Sequence, residues 1–106
     1  MIIHPFDQTP SLFSEFVAQL RSVDIQQDRM RFRRNLERIG ELLSYEMSKT
    51  LPYQVQRITT PLGEKDIPLI QDKIVVCSIL RAGLALHQGI LNYFDKADNA
   101  FISAYR

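Results

Sequence analysis

Cysteine occurs once in the 106 residues, at position 77. A lone cysteine excludes an intrachain disulfide and fits a reducing compartment. Charge of one sign is equally scarce: 13 basic residues stand against 12 acidic ones, a net charge of +1. That balance projects no large field towards a polyanion or a charged bilayer, so no nucleic-acid or membrane partner is expected. No apolar run approaches the ~20 residues of a membrane span. The amino terminus, M-I-I-H-P-F-D, lacks the basic region and long apolar core of a secretion signal. Repeats and low-complexity segments are missing. So are a P-loop, a GxGxxG turn and any Ser/His/Asp or Cys/His arrangement that could be defended. These absences predict a cytoplasmic-type soluble chain of at most one domain. With 45% apolar residues a core is within reach, and a chain of this size buries roughly two thirds of its unfolded surface.

In chain order, Ile2, Ile3 and Phe6 are candidates to anchor an extended arm. Thr9-Pro10 reads as an N-cap followed by proline in the first helical position. Leu12, Phe13, Phe16, Val17 and Leu20 follow at helical spacing and predict an amphipathic packing helix. Asp28 is placed to cap a second, longer helix, in which Phe32, Leu36, Ile39, Leu43 and Met47 recur every three or four residues until Pro52. Arg29, Arg31, Arg33, Arg34 and Arg38 scatter around that helix without forming a stripe. Glu37, four residues after Arg33, and Glu41, three after Arg38, predict local pairing and a solvated face rather than a nucleic-acid surface. Tyr53 to Thr60 is rich in strand formers, Pro61 and Gly63 supply a turn, and Ile67-Pro68-Leu69 follows. The pattern predicts a β-hairpin whose second strand is an edge, since Pro68 cannot donate to a central ladder.

The stretch from Lys73 to Gly89 organises the rest. Ile74 to Leu80 is apolar except for Ser78, which predicts a strand buried on both faces, with Cys77 a small buried residue inside it. The run stops at Arg81-Ala82-Gly83, and a helical pattern begins with Leu84. His87 falls in the middle of that helix's apolar half, which predicts a hydrogen-bonded core histidine rather than a metal ligand. Ala85 and Gly89, on the other side, would let a second backbone come close. Asp95 to Asn99 reads as a loop and 100–105 as a further strand that ends on Arg106. Two strands joined by one helix predict a parallel βαβ unit, with Arg81 and Arg106 at the same sheet edge. A helix N-terminus there favours an anion, and an arginine adds charge and a planar fork of donors. Two convergent arginines suit a phosphate or pyrophosphate better than a carboxylate. The other reading of Arg81, a solvated or capping residue, stays open on these residues alone.

I-L-R-A-G-L at 79–84, followed by Y-R at 105–106, resembles uracil phosphoribosyltransferase. R-F-R-R-N-L-E-R-I-G-E-L-L-S-Y-E at 31–46 resembles that family's long helix, and T-P-L at 60–62 its β-arm. The resemblance implies an α/β fold: N-terminal helices (1–52), a β-hairpin arm (53–70) and a βαβ core unit (71–106), together the first half of a type I phosphoribosyltransferase domain. It implies the conversion of uracil and 5-phosphoribosyl 1-pyrophosphate to UMP and pyrophosphate, with magnesium as cofactor and a homo-oligomer joined through the hairpin. By motif position it assigns Arg81, Ala82, Gly83 and Arg106 to the pyrophosphate, and it assigns no catalytic side chain. Cys77-Ser78 departs from the more usual proline-containing approach to I-L-R-A-G, and Ala85 and Gln88 from a common glycine and acidic residue. The family's Thr-Gly-Gly phosphoribosyl loop and its uracil-recognising segment have no counterpart in these residues. The 106 residues alone are therefore expected to be inactive. The alternatives are a non-catalytic half-domain, acting as an oligomerisation or anion-binding module, and an RNA-binding regulator, against which the scattered arginines argue.

Overall fold

The computed structural model describes residues 1–104. Two helices come first: α1 (Leu12–Arg21) and α2 (Arg29–Ser48), joined through a short 3₁₀ turn at Ile25–Gln27. An antiparallel pair follows, β1 (Tyr53–Thr60) and β2 (Gly63–Ile70). The chain then forms β3 (Val75–Leu80), α3 (Leu84–Tyr93) and β4 (Asp98–Ser103), with β3 and β4 parallel and in register from Val75–Asp98 to Leu80–Ser103. This is the expected α/β order of helices, hairpin and βαβ unit. Tyr105 and Arg106, the end of the motif read from the sequence, lie outside the described residues.

Local chemistry accounts for most of the boundaries. Asp28 caps α2 as expected, its Oδ1 accepting from the Arg31 amide at 3.1 Å. At α1 the expectation was off by two residues. Ser11, not Thr9, is the cap, with its hydroxyl accepting from the Phe13 amide at 3.2 Å, so Pro10 precedes the helix. The hairpin turns through Pro61-Leu62 into Gly63, whose φ of +132° suits a residue without a Cβ. β4 begins at Asp98, two residues earlier than the apolar pattern showed, because the Asp98 amide already donates to the Ile74 carbonyl at 3.0 Å.

Helices α2 and α3 approach so closely that backbones touch. A Cβ on Gly40 would meet the Leu86 carbonyl oxygen, and one on Gly89 would fall on the Glu37 carbonyl. Ser44, also buried in this seam, turns its hydroxyl onto the Gly40 carbonyl at 2.8 Å. The expected close approach at Gly89 is therefore present, and its partner is α2. The α1–α2 seam is partly polar. Buried Asn35 donates to Gln19 at 2.8 Å and accepts from Arg38 at 3.0 Å, while the Arg38 guanidinium lies 5.5 Å from the Phe16 ring centre. Glu37 pairs with Arg34 at 2.9 Å, not with Arg33. The ion pair spans three residues along the helix rather than four.

β3 departs from its expected burial. Val76 faces α3 and is buried, but Val75 and Ile79 are 58% and 59% exposed, and Cys77 is exposed as well. The β3–β4 sheet has two strands, and among the described residues α3 covers one of its faces. A strand buried on both faces needs a second layer, so only its α3 side is dry.

Candidate functional site

The candidate site is the turn between β3 and α3. The sheet delivers the chain to Leu80, the Leu80–Arg81 peptide is cis, and α3 starts three residues later with Gly83 as its cap residue. The Gly83 amide donates to the Ile79 carbonyl at 3.0 Å and the Leu84 amide to the Arg81 carbonyl at 3.1 Å. The first helical bond runs from the His87 amide to the Gly83 carbonyl at 2.9 Å. The amides of Ala82, Ala85 and Leu86 then have no backbone acceptor among the described residues. Unpaired N–H groups at a helix start, with the dipole behind them, favour an anion.

Arg81 and Ala82 are exposed at this turn. Among the described residues Arg81 makes no ion pair, unlike Arg31, Arg34 and Arg57, each held by a carboxylate. A guanidinium not committed to a carboxylate is available to a ligand. Gly83 keeps the turn tight. A Cβ there would sit 2.9 Å from the Ile79 carbonyl oxygen and 3.1 Å from the Ser78 Cβ. Its space is taken by β3 itself, so glycine permits the turn to fold back on the strand. Arg81, Ala82 and Gly83 form the turn itself, whereas Arg106 lies outside the described residues.

Two buried polar groups lie close behind the turn, and the sequence marked neither as part of a site. Ser78, the one break in the apolar run, keeps its Oγ buried without a hydrogen-bond partner among the described residues. His87 is 5% exposed, and its Nε2 lies 2.7 Å from Asn99 Oδ1 on β4. The expected hydrogen-bonded core histidine is thus present, with a partner twelve residues away.

A cavity of about 540 Å³ is elsewhere. It lies beneath the amino-terminal arm, between Phe6, Leu12, Phe13, Leu43 and Tyr45, and shares no residue with the turn. Its walls are apolar and its charged lining residue is Glu46, the wrong sign for a phosphate. Among the described residues no group of three His, Cys, Asp or Glu side chains converges as a metal site. No helix of the described residues is long and apolar enough to cross a membrane.

An arginine-bearing turn at the carboxyl end of a parallel strand, ahead of a helix start, defines an α/β protein whose candidate site is at the sheet edge where such folds hold ligands. Comparison with known proteins narrows the class. The family model for uracil phosphoribosyltransferase matches residues 8–106, and the chain belongs to that family. A uracil phosphoribosyltransferase of Porphyromonas gingivalis is 57% identical over 96 residues, which cover 91% of this chain and 44% of that protein. One from Methanococcus vannielii is 33% identical over 106 residues, covering 98% of this chain and 44% of that protein. The solved structure of the AQ2163 protein from Aquifex aeolicus superimposes with a TM-score of 0.77 at 28% identity, over 95% of this chain and 47% of that one. The chain thus spans less than half the length of the curated relatives it matches.

Proposed function

We propose that these residues form the amino-terminal portion of a uracil phosphoribosyltransferase, which converts uracil and 5-phosphoribosyl 1-pyrophosphate to UMP and pyrophosphate. In this reading Arg81 and the Ala82-Gly83 backbone bind the pyrophosphate, and Arg106 is its second arginine. The observation that carries it is Arg81, exposed and outside any ion pair among the described residues, beside the open amides of the first turn of α3.

The chemistry asks for such a group. As the bond between the sugar and the pyrophosphate lengthens, negative charge gathers on the leaving oxygens and positive charge on the ribose ring. Donors already fixed at the leaving group stabilise that separation without having to reorganise. A guanidinium offers two parallel N–H groups to a phosphate, and a helix start offers backbone N–H groups from a second direction. Magnesium belongs to the proposal through the resemblance alone. The described residues supply no cluster of carboxylates to hold it. The reading also includes a cytoplasmic setting, supported by the lone cysteine, and a homo-oligomer joined through the hairpin, supported by that hairpin's exposure.

A chimera joining this chain to the remainder of the Porphyromonas gingivalis relative tests the assignment. Arg81→Ala in the chimera is expected to lose roughly 2–4 kcal/mol of transition-state stabilisation, read as kcat/KM for 5-phosphoribosyl 1-pyrophosphate. An unchanged kcat/KM would remove Arg81 from the site. The 106-residue polypeptide by itself is expected to form no UMP in a radiolabelled-uracil assay. The exposed arginine beside open helix amides also suits one second reading, a non-catalytic half-domain that binds anions. An inactive, well-folded chimera alongside pyrophosphate binding by the short chain would select it.

A further inference from the structure

The buried histidine behind the turn connects the arginine-bearing turn to β4. His87 is in the first turn of α3, and its amide donates to the Gly83 carbonyl. On its other side the ring reaches β4. Nε2 is 2.7 Å from Asn99 Oδ1, and the ring stacks on Phe101 with centroids 5.1 Å apart and planes 24° from parallel. An amide oxygen only accepts, so Nε2 is the donor in this contact. Phe101 is in turn the register partner of Ser78, whose Cβ lies against Gly83. An unbroken set of contacts therefore runs from the Arg81-Ala82-Gly83 turn through His87 to β4, the strand that leads to Tyr105-Arg106.

Packing alone does not explain a histidine at this position. A leucine would fill the same layer without burying Nδ1, which has no hydrogen-bond partner among the described residues and so carries a desolvation cost. What the imidazole adds is direction. Apolar contacts tolerate a small slide of α3 along β4, whereas one donor facing one acceptor is satisfied at a single offset. We propose that His87 is a positioning residue whose bond to Asn99 sets the Arg81-Ala82-Gly83 turn at a fixed offset from β4, so that Arg81 and the open amides of the first turn of α3 are held for one pyrophosphate. This rests on the pyrophosphate reading above and adds to it the side chain that holds the spacing.

The test uses the ¹⁵N-labelled 106-residue chain and inorganic pyrophosphate. Long-range imidazole spectra are expected to show His87 as the Nε2–H tautomer; an Nδ1–H tautomer would overturn the proposal. His87→Leu is expected to move the backbone amide signals of both Gly83 and Phe101 while leaving those of the α2–α3 seam in place. It should also weaken pyrophosphate binding by roughly 3- to 10-fold, the worth of one ordinary hydrogen bond. His87→Gln, which can still offer a donor to Asn99, is expected to restore both. Should His87→Leu fail to fold, Asn99→Ala removes the acceptor from the exposed side of the contact and gives the same readout. Amides and affinity unchanged in the leucine or alanine variant would overturn the proposal. If the unmodified chain binds no pyrophosphate, the anion reading fails on its own. The paired amide shifts then decide whether His87 couples the turn to β4.

Discussion

Glu37 shows how a surface carboxylate in this chain is tied to two helices at once. Its Oε1 accepts from Asn92 of α3 at 2.8 Å, and its Oε2 lies 2.9 Å from the Arg34 guanidinium on its own helix. These donors, Asn92 first and Arg34 second, hold its carboxyl below the ordinary glutamate value of 4.5. The sign follows from linkage. The folded state gives up this proton more readily than the unfolded state, so the contribution is fully present above pH 4.5 and is lost as pH falls through the lowered value. Glu37→Gln keeps an acceptor for Asn92 but carries no charge. The variant should be slightly less stable than the parent at neutral pH, with the gap closing in acid. Urea midpoints of both proteins, measured at neutral pH and well below pH 4.5, check this; a gap that does not change with pH would remove Glu37 as its source.

At the scale of elements, the α2–α3 seam is the part of the fold with least tolerance. Gly40 and Gly89 leave room for backbone against backbone, and the atoms that a new Cβ would meet there are main-chain atoms. A flexible side chain could rotate away from an added methyl group, but a helix backbone has to move as a body. Gly89→Ala is therefore expected to cost about 1–3 kcal/mol, the usual range for overpacking a filled site. Equilibrium urea unfolding measures it, and a midpoint equal to the parent's would mean that the helices can part without loss. Because α3 also carries the first turn of the candidate site, a shift of the helix should reach the Arg81-Ala82-Gly83 amides.

The whole molecule is long for its size. Its radius of gyration is 17.0 Å, against roughly 13 Å for a compact chain of this length. The hairpin accounts for much of this, since β1 and β2 pack chiefly on each other, and only their base is tied to the helices, where the Tyr53 hydroxyl donates to the Ser48 carbonyl at 2.9 Å. Its two faces differ. One carries Tyr53, Val55, Pro68 and Ile70 and, further along, Arg57 with Asp66 and Glu64. The other groups Ile58, Ile67 and Leu69 with Gln54, Gln56 and Lys65. A two-stranded ribbon has two open edges and is marginal by itself in water, so association is the expected outcome. We predict that the chain is dimeric or larger at micromolar concentration. Val55→Lys should weaken the assembly more than Ile58→Lys, because Val55 stands opposite Pro68 and beside Tyr53 and Ile70, whereas Ile58 stands opposite Lys65. Light scattering over a dilution series checks both statements; a monodisperse monomer of the unmodified chain would sink the first, and equal effects of the two lysines the second.

Much of this protein was legible without a structure, because much of it is set within a few residues along the chain. The repeat of Leu36, Ile39 and Leu43, the cap at Asp28 and the stop before Pro52 are local matters of helical period and unpaired amides. The same holds for the hairpin around Pro61 and Gly63, and for the change from strand to helix at Arg81-Ala82-Gly83, which placed the candidate site. The contacts that span the chain were not legible. An apolar run reads the same whether one or both faces are covered, so the exposure of Val75, Cys77 and Ile79 depended on which layers pack beside β3. Glycine at 89 announced a close approach but not that Glu37 would be the neighbour. His87 announced a buried imidazole but not Asn99. Period and capping act over one or two turns of chain, whereas those partners are chosen by how whole elements settle against one another, and only the tertiary structure decides that.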